Sequence, residues 1–173
     1  MTSNERTSQH GDEATLPTPA EINEMRRTGF PGSGIECVEI GARYALAKVR
    51  PDETSIRPGG FIAGPTQFAM ADGVLWYAVF GAIGRIEPMA LTSELSIRFL
   101  RPCVGEVLWG RATIDAAGRR NIVGTVHVWT DDNDARPSAI AQGTYVLPSP
   151  SPQERTGPIA STNSAPGRRA RFA

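Results

Sequence analysis

The fold of this chain is set by residues 64–84, GPTQFAMADGVLWYAVFGAIG, which form its longest apolar run. The run is too long for a β-strand, and Gly64-Pro65 at its start suits the first turn of a helix, where proline loses no hydrogen bond. It nearly reaches membrane-spanning length, but Asp72 inside it would cost about 2.5–3.5 kcal/mol in a bilayer. Because apolar residues fall on nearly every face, the run predicts a long buried helix wrapped by the rest of the chain.

The length and charge of the chain limit the classes of protein to which it can belong. With 173 residues it fits one domain with room for tails. Lys plus Arg and Asp plus Glu both count 18, so there is no electrostatic reason to expect nucleic acid or an anionic membrane surface as a partner. Two cysteines are too few for a disulfide scaffold, and the polar N-terminal residues lack the apolar core of a secretory signal. We therefore expect a cytoplasmic protein with reduced thiols that act as small packing residues.

Polar ends flank one predicted domain. Residues 1–17 and 149–173 lack hydrophobic periodicity and are rich in polar residues, so they are predicted to be disordered tails around a domain at 18–148. Three arginines near the C-terminus could contact an acidic partner, although a solubilising tail is the simpler interpretation.

The domain begins with a helix signal. Thr18 can cap a helix, Pro19 suits its first position, and Glu21 completes a capping box, so a helix is predicted through about Arg27. Strands are predicted at 36–40, 42–50, 89–101, 106–115, 120–130 and 137–147. The short turns between the last four indicate an antiparallel meander. The fold class is therefore α+β, with an antiparallel sheet curled around one long central helix.

Strict alternation in residues 89–101 predicts the two faces of that strand. Apolar side chains fall on one face (Leu91, Leu95, Ile97 and Phe99), and polar side chains fall on the other (Thr92, Glu94, Ser96 and Arg98).

The sequence lacks the motifs of several enzyme classes. The chain has only two histidines, His10 in a tail and His127 in a predicted strand, so a histidine-based triad has little to work with. There is no G-x-S-x-G nucleophile motif, no cluster with metal-ligand spacing, and no phosphate-binding or dinucleotide-binding glycine motif. We therefore expect a site without a metal.

Asp72 is the most informative residue. It is the only acidic or basic side chain between Arg57 and Arg85, and it lies in the middle of an apolar helix. Buried carboxylates are rare unless they are paired or functional, and an acid in apolar surroundings suits acid–base chemistry. Alternatively, Asp72 caps a neighbouring loop or pairs with an arginine, and its residue type alone does not decide between these interpretations.

A second candidate feature is Gly64, at the start of the same helix. The first N–H groups of a helix lack internal partners, and such donors can stabilise the oxyanion of a tetrahedral intermediate. An ordinary turn before a helix would have the same residues. Gly64 and Asp72 are eight residues apart, which is about 12 Å along a helix, so they can act on one acyl group only if a second subunit contributes one of them.

Four blocks of the sequence carry a resemblance to a known family. They are RPGGFIAGPTQFAMADGVLWYAV (57–79), MALTSELSIRFLRP (89–102), GRR (118–120) and AIAQGTYVLP (139–148). In their order and spacing the chain resembles the PaaI-like (phenylacetate-pathway-type) hotdog-fold acyl-CoA thioesterases. The resemblance implies homodimers with a continuous sheet, often paired into homotetramers. It also implies activity on acyl-CoA thioesters with no cofactor, CoA being part of the substrate.

The resemblance also implies roles for individual residues. By position, Asp72 matches the family's catalytic carboxylate, acting as a nucleophile or as a general base on water. Gly64 matches the glycine whose N–H polarises the thioester carbonyl. Thr92 matches a Ser or Thr that orients the attacking water, although it could be an ordinary strand threonine. Arg120, with Arg119, could contact the phosphates of CoA, although arginines in turns are usually solvated.

The chain departs from the family at the edge of this site. Ala63-Gly64-Pro65 stands where many relatives have His-Gly-Gly, and Arg57 stands where they have an asparagine. Pro65 and Arg57 are therefore assigned to substrate binding, and Arg57 either binds an acidic acyl group or pairs with Asp72. Glu94, Ser96 and Arg98 also replace residues that are often asparagine in close relatives.

The leading hypothesis is hydrolysis of a short-chain, medium-chain or aryl acyl-CoA. Leu75, Trp76 and Phe80 are candidates for the acyl pocket, although core packing explains each of them equally well. The alternative is a non-catalytic acyl-CoA-binding protein. The missing histidine and asparagine favour it, and the retained Asp72, Gly64 and Thr92 argue against it. A dehydratase acting on acyl carrier protein is a third possibility, but that chemistry usually pairs a histidine with the acid.

Overall fold

The structure, a computed structural model, describes residues 16–131 and 133–149. Nearly all of the two predicted tails lies outside these residues, so their disorder and the domain limits at 18–148 stay predictions. The helices are α1 (Pro19–Gly29) and α2 (Gly64–Ile83), with a short 3-10 turn at Glu53–Ser55. The strands are β1 (Glu36–Gly41), β2 (Tyr44–Val49), β3 (Ile56–Arg57), β4 (Phe61–Ile62), β5 (Leu91–Phe99), β6 (Leu108–Ala117), β7 (Asn121–Thr130) and β8 (Ala139–Val146).

Helix α1 begins as the sequence predicts and covers one edge of the sheet. The hydroxyl of Thr18 accepts a hydrogen bond from the backbone N–H of Glu21, whose carboxylate accepts one from the N–H of Thr18, so the capping box is formed. Ile22 points into the core and is fully buried. The side-chain amide of Asn23 exchanges two 2.8 Å hydrogen bonds with the backbone of Cys37 on the edge strand β1. These bonds satisfy backbone groups that an edge strand would otherwise expose.

The sheet is antiparallel, but the order of its strands corrects one prediction. Its six strands lie in the order β1-β2-β6-β7-β8-β5. Only β6, β7 and β8 form a meander, because β5 pairs with β8 at the far edge instead of with β6. The β5–β8 pairing sets large side chains opposite small ones, which lets α2 lie close to this side of the sheet. The pairs are Leu95–Gly143, Ile97–Ala141 and Phe99–Ala139.

A β-bulge in β5 corrects the predicted faces of that strand. Thr92 pairs with Tyr145 and Glu94 with Thr144, so Ser93 is an extra residue with no partner of its own. The extra residue reverses the alternation, and Thr92 therefore shares the inner face with Leu95 instead of lying opposite to it. Leu91 is turned outward and is 65% exposed.

The core lies between α2 and the inner face of the sheet. Leu75 is fully buried against β7 and β8, where a Cβ added at Gly124 or Gly143 would lie 2.6 or 3.0 Å from its methyl groups. Phe80 is fully buried as well, and Trp76 packs edge-on against Phe30 with ring centroids 5.0 Å apart. Core packing therefore accounts for all three residues that were candidates for an acyl pocket.

No helix in the described ranges is both long and apolar enough to cross a membrane. Helix α2 packs against the sheet of its own chain, with ten of its 20 residues buried.

Candidate active site

Asp72 faces the junction of β5 and β8, and two hydroxyl groups bind one of its carboxylate oxygens. Thr92 Oγ1 donates to Asp72 Oδ1 at 2.7 Å, and Tyr145 Oη donates to the same oxygen at 2.8 Å. The side chain is half-buried in the protomer, which corrects the expectation of a fully buried acid. Among residues 16–131 and 133–149 Asp72 forms no salt bridge, so an internal pair with Arg57 is absent there.

The second oxygen of Asp72 is left open in this arrangement. Oδ2 accepts no hydrogen bond from the residues that the structure describes. A carboxylate held by one oxygen with the other one open can remove a proton from water or attack a carbonyl carbon. The geometry therefore suits either of the two roles that the sequence left open.

Tyr145 is a site residue that the sequence did not predict. It lies directly opposite Thr92 in the β5–β8 register, so both side chains point from the inner face of the sheet towards α2. Its side chain is only 3% exposed, and its hydroxyl also lies 3.1 Å from the backbone oxygen of Asp72. Burial, followed by the negative charge of Asp72, raises the pKa of the Tyr145 phenol above its usual range, so the hydroxyl is a neutral donor.

Gly64 occupies the first position of α2 with its N–H free of described partners. Ala63 caps the helix without a side-chain hydrogen bond, and its carbonyl accepts from Thr66 and Gln67 at 3.1 and 3.2 Å. Pro65 has no N–H, so the Gly64 N–H is the donor that the helix presents at this end. A Cβ added at Gly64 would lie 3.2 Å from the ring of Phe99, which shows how closely β5 approaches the start of the helix.

An apolar groove of about 470 Å³ extends from Gly64 along α2 and β5. It is lined by Gly64, Pro65, Phe68, Ala69, Ile97 and Phe99. Phe68 and Phe99 remain 40% and 53% exposed, which is high for aromatic rings on a protomer surface. Asp72 follows Phe68 by one helical turn and therefore lies on the same face of α2.

The two ends of the site do not meet within one protomer. Gly64 and Asp72 lie on one continuous helix, about 12 Å apart at the usual rise per residue. Helix α2 and strand β5 run in opposite directions here: Asp72 contacts Thr92 at one end, and Gly64 lies against Phe99 at the other.

The arginines assigned to substrate binding are all exposed. Arg57 lies at the β3–β4 turn and has no contact with Asp72 in the described part of the chain. Arg119 and Arg120 form the β6–β7 turn, where the backbone oxygen of Arg120 accepts from Leu147 at 2.8 Å. Because Leu147 follows Tyr145 by two residues, this turn borders the Asp72 end of the site.

The histidine and cysteine side chains of the described region form no hydrogen bond with Asp72. His127 is exposed on β7 opposite Arg111. Cys37 and Cys103 are buried in the core, and burial raises the pKa of the Cys37 thiol to about 12, so it is not a thiolate near neutral pH. None of these groups provides a competing nucleophile.

The antiparallel sheet packed on one long helix defines a hotdog-fold protein, and comparisons with known proteins agree. The family model of the thioesterase superfamily matches residues 59–135, which include Gly64, Asp72 and Thr92, and this confirms the resemblance inferred from the sequence. No curated protein sequence matches the chain significantly.

Solved structures resemble the chain over most of its length. A Silicibacter protein, provisionally named a thioesterase, is 25% identical, with a TM-score of 0.69 over 78% of this chain and 94% of that one. A thioesterase from Haemophilus influenzae is 19% identical, with a TM-score of 0.67 over 78% and 93%. The Escherichia coli PaaI protein is 17% identical, with a TM-score of 0.58 over 74% and 94%. The last two likenesses concern the fold alone.

Proposed function

We propose that this chain is an acyl-CoA thioesterase that uses Asp72 as its catalytic carboxylate. The observation that carries the proposal is the held carboxylate with one open oxygen, placed beside an apolar groove that leads to a helix N-terminus. The apolar groove suits a short-chain, medium-chain or aryl acyl group. The match to the thioesterase superfamily supports the same reaction class.

We propose that the working unit is a homodimer joined through β5. This strand is the free edge of the sheet, and nearly all of its nine residues are exposed in the protomer. An exposed apolar edge strand is a ready template for pairing with another chain. If two β5 strands pair antiparallel about a two-fold axis, the Thr92 end of one lies beside the Phe99 end of the other. Asp72 would then face Gly64 of the partner subunit.

In this dimer the reaction is an ordinary acyl transfer to water. The thioester carbonyl oxygen accepts from the N–H of Gly64 of the partner subunit, which stabilises the developing oxyanion. Asp72 Oδ2 either removes a proton from the attacking water or attacks the carbonyl carbon itself. In both routes the C–S bond breaks, and CoA leaves as the thiolate and takes up a proton. Attack by water gives the carboxylic acid directly, whereas attack by Asp72 gives an acyl-aspartyl anhydride that water then hydrolyses to the carboxylic acid and free Asp72. The proposed steps use no metal and no organic cofactor.

The CoA portion is assigned to the arginine-bearing turns. Arg119 and Arg120 border the Asp72 end of the site and are exposed, so they are free to bind phosphate oxygens. Arg57 and Pro65 are assigned to the acyl end, near the start of α2. Pairing of two dimers into a homotetramer and a cytoplasmic location also stay predictions.

The test is turnover of a panel of acyl-CoA esters, followed with a thiol-trapping dye. Asp72→Asn should lower kcat by about a hundredfold or more while folding and dimerisation stay nearly unchanged. Asp115→Asn is a matched control, because Asp115 also accepts a hydrogen bond from a threonine hydroxyl, Thr125, at 2.7 Å, but is exposed on β6, a strand that carries no assigned site residue. Retention of most activity by Asp72→Asn would refute the assigned carboxylate.

The competing function is non-catalytic binding of acyl-CoA. The absence of the family's histidine and asparagine favours it, since Ala63 and Arg57 stand in their places. Tight binding of several CoA esters with no thiol release from any of them would decide for this alternative.

A further inference from the structure

The hydrogen bonds to Asp72 are unevenly divided between its two oxygens. Oδ1 accepts from both Thr92 and Tyr145, and Oδ2 accepts from neither. The two donors are cross-strand neighbours on β5 and β8, so the sheet fixes their positions relative to each other. The carboxylate is thereby held in one orientation before any substrate arrives.

We propose that Tyr145 is a positioning residue, whose phenol anchors Oδ1 of Asp72 so that the carboxylate presents Oδ2 to the thioester. The inference rests on the proposed function, and it adds a residue outside the set assigned from the sequence. Hydrogen bonds to the charged form of an acid favour that form. Such support matters most when a substrate and a second subunit cover the half-buried side chain and remove water from it.

The alternative to a positioning role is a purely structural role for Tyr145. The same hydroxyl lies 3.1 Å from the backbone oxygen of Asp72, so it also helps to dock α2 on β8. Docking alone predicts that loss of the hydroxyl changes stability and leaves the pH dependence of catalysis alone. Positioning predicts a change in that pH dependence.

Among the described residues, Tyr145 is the titratable side chain that contacts Asp72. On α2, the Tyr77 hydroxyl donates to the backbone oxygen of Ile35 instead. Cys37, on β1, is buried in the core. Glu94 and Arg98 of β5 pair with Thr144 and Ile140, on the face of the sheet opposite to Tyr145. These last two side chains therefore point away from α2.

The deciding variant is Tyr145→Phe, which keeps the ring and removes only the hydroxyl. We expect kcat to fall about tenfold and the acidic limb of the kcat/KM profile to move to higher pH by about one unit, since one hydrogen bond to a charged group is lost. The sign follows because the carboxylate that loses a donor is protonated more readily, and the protonated acid is inactive. The KM should change little, because the phenol does not contact substrate.

The matched control is Tyr77→Phe. Tyr77 is also a buried tyrosine, with its hydroxyl 2.9 Å from a backbone oxygen, and its loss should reduce stability without moving the acidic limb. If Tyr145→Phe lowers only stability, as the control does, the positioning role is overturned.

Failure of the proposed function can be told apart from failure of this inference. Carbon-13 NMR titration of the Asp72 carboxyl, in the wild type and in Tyr145→Phe, reports the hydrogen bond without any substrate. An upward shift of the protonation midpoint in the variant supports the inference even if no acyl-CoA is cleaved. An unchanged midpoint overturns it even in an active enzyme.

Discussion

Thr92 reaches Asp72 only because β5 contains one residue more than strict alternation allows. The bulge at Ser93 turns Thr92 to the inner face, where its hydroxyl donates to Oδ1 at 2.7 Å. Bulges often redirect a side chain next to an active site. In the proposed mechanism the hydroxyl of Thr92, and not the shape of its side chain, is the functional feature.

Replacing Thr92 tests that statement with two variants. Thr92→Val keeps the shape and removes the hydroxyl, so we expect kcat to fall by about tenfold, the usual effect of losing one hydrogen bond to a charged group. Thr92→Ser restores the donor and should retain most of the activity in steady-state assays. An active Thr92→Val beside an impaired Thr92→Ser would contradict this and show that the methyl group, through packing, is what matters.

Asp72 and Tyr145 differ in how far a sequence reveals them. Asp72 stands out because no other charged side chain lies between Arg57 and Arg85. Tyr145 carries no such signal, since a tyrosine in an apolar strand is most often a core residue with its hydroxyl bonded to the backbone, as Tyr77 is. Its role depends on the β5–β8 register, which is a long-range property.

At the scale of elements, α2 packs closely against the β1–β2 hairpin. A Cβ added at Gly81 would lie 2.1 Å from the backbone oxygen of Gly41, so the helix and the hairpin approach each other at a position where a side chain does not fit. We expect Gly81→Ala to lower the free energy of unfolding by about 2 kcal/mol or more, because a backbone oxygen cannot move aside as a flexible side chain does. Chemical denaturation measures this directly.

Gly29→Ala is the control for that substitution. Gly29 is the last residue of α1, and an added Cβ would meet nothing within 4 Å, so the variant should change stability little. If the Gly81→Ala protein is as stable as the Gly29→Ala protein, the β1–β2 hairpin can shift to accommodate the methyl group. The close contact is then not required for stability.

The elements themselves were largely predictable, and their arrangement was not. The capping box of α1 and the apolar run of α2 are local signals, and both helices begin where the sequence predicts. The place of β5 beside β8 depends on which strand has small inner residues, such as Gly143 and Ala141, to accept large ones. Local periodicity does not carry that information, and an unpaired residue such as Ser93 interrupts the alternation on which the prediction rested.

At the scale of the whole molecule, the proposed mechanism gives each protomer two half-sites and no complete one. Its carboxylate and its helix N-terminus lie about 12 Å apart on one rigid helix, and β5 lies exposed beside both. Two-fold pairing of β5 would build two complete sites, each from Asp72 of one subunit and Gly64 of the other. Activity should therefore depend on dimer formation, and dilution below the dissociation constant of the dimer should reduce the specific activity.

Mixing two inactive variants tests the shared site most directly. Asp72→Asn removes the carboxylate, and Gly64→Val places a side chain at the helix N-terminus. The Gly64→Val chain should still fold, because the nearest group, the ring of Phe99, is exposed enough to move aside. Each homodimer should be nearly inactive. Random mixing makes half of the dimers hybrids, and each hybrid has one intact and one doubly altered site, so refolding the two together should restore about a quarter of the wild-type activity. A site contained within one protomer would give no recovery, because every chain in the mixture would still carry its own defect.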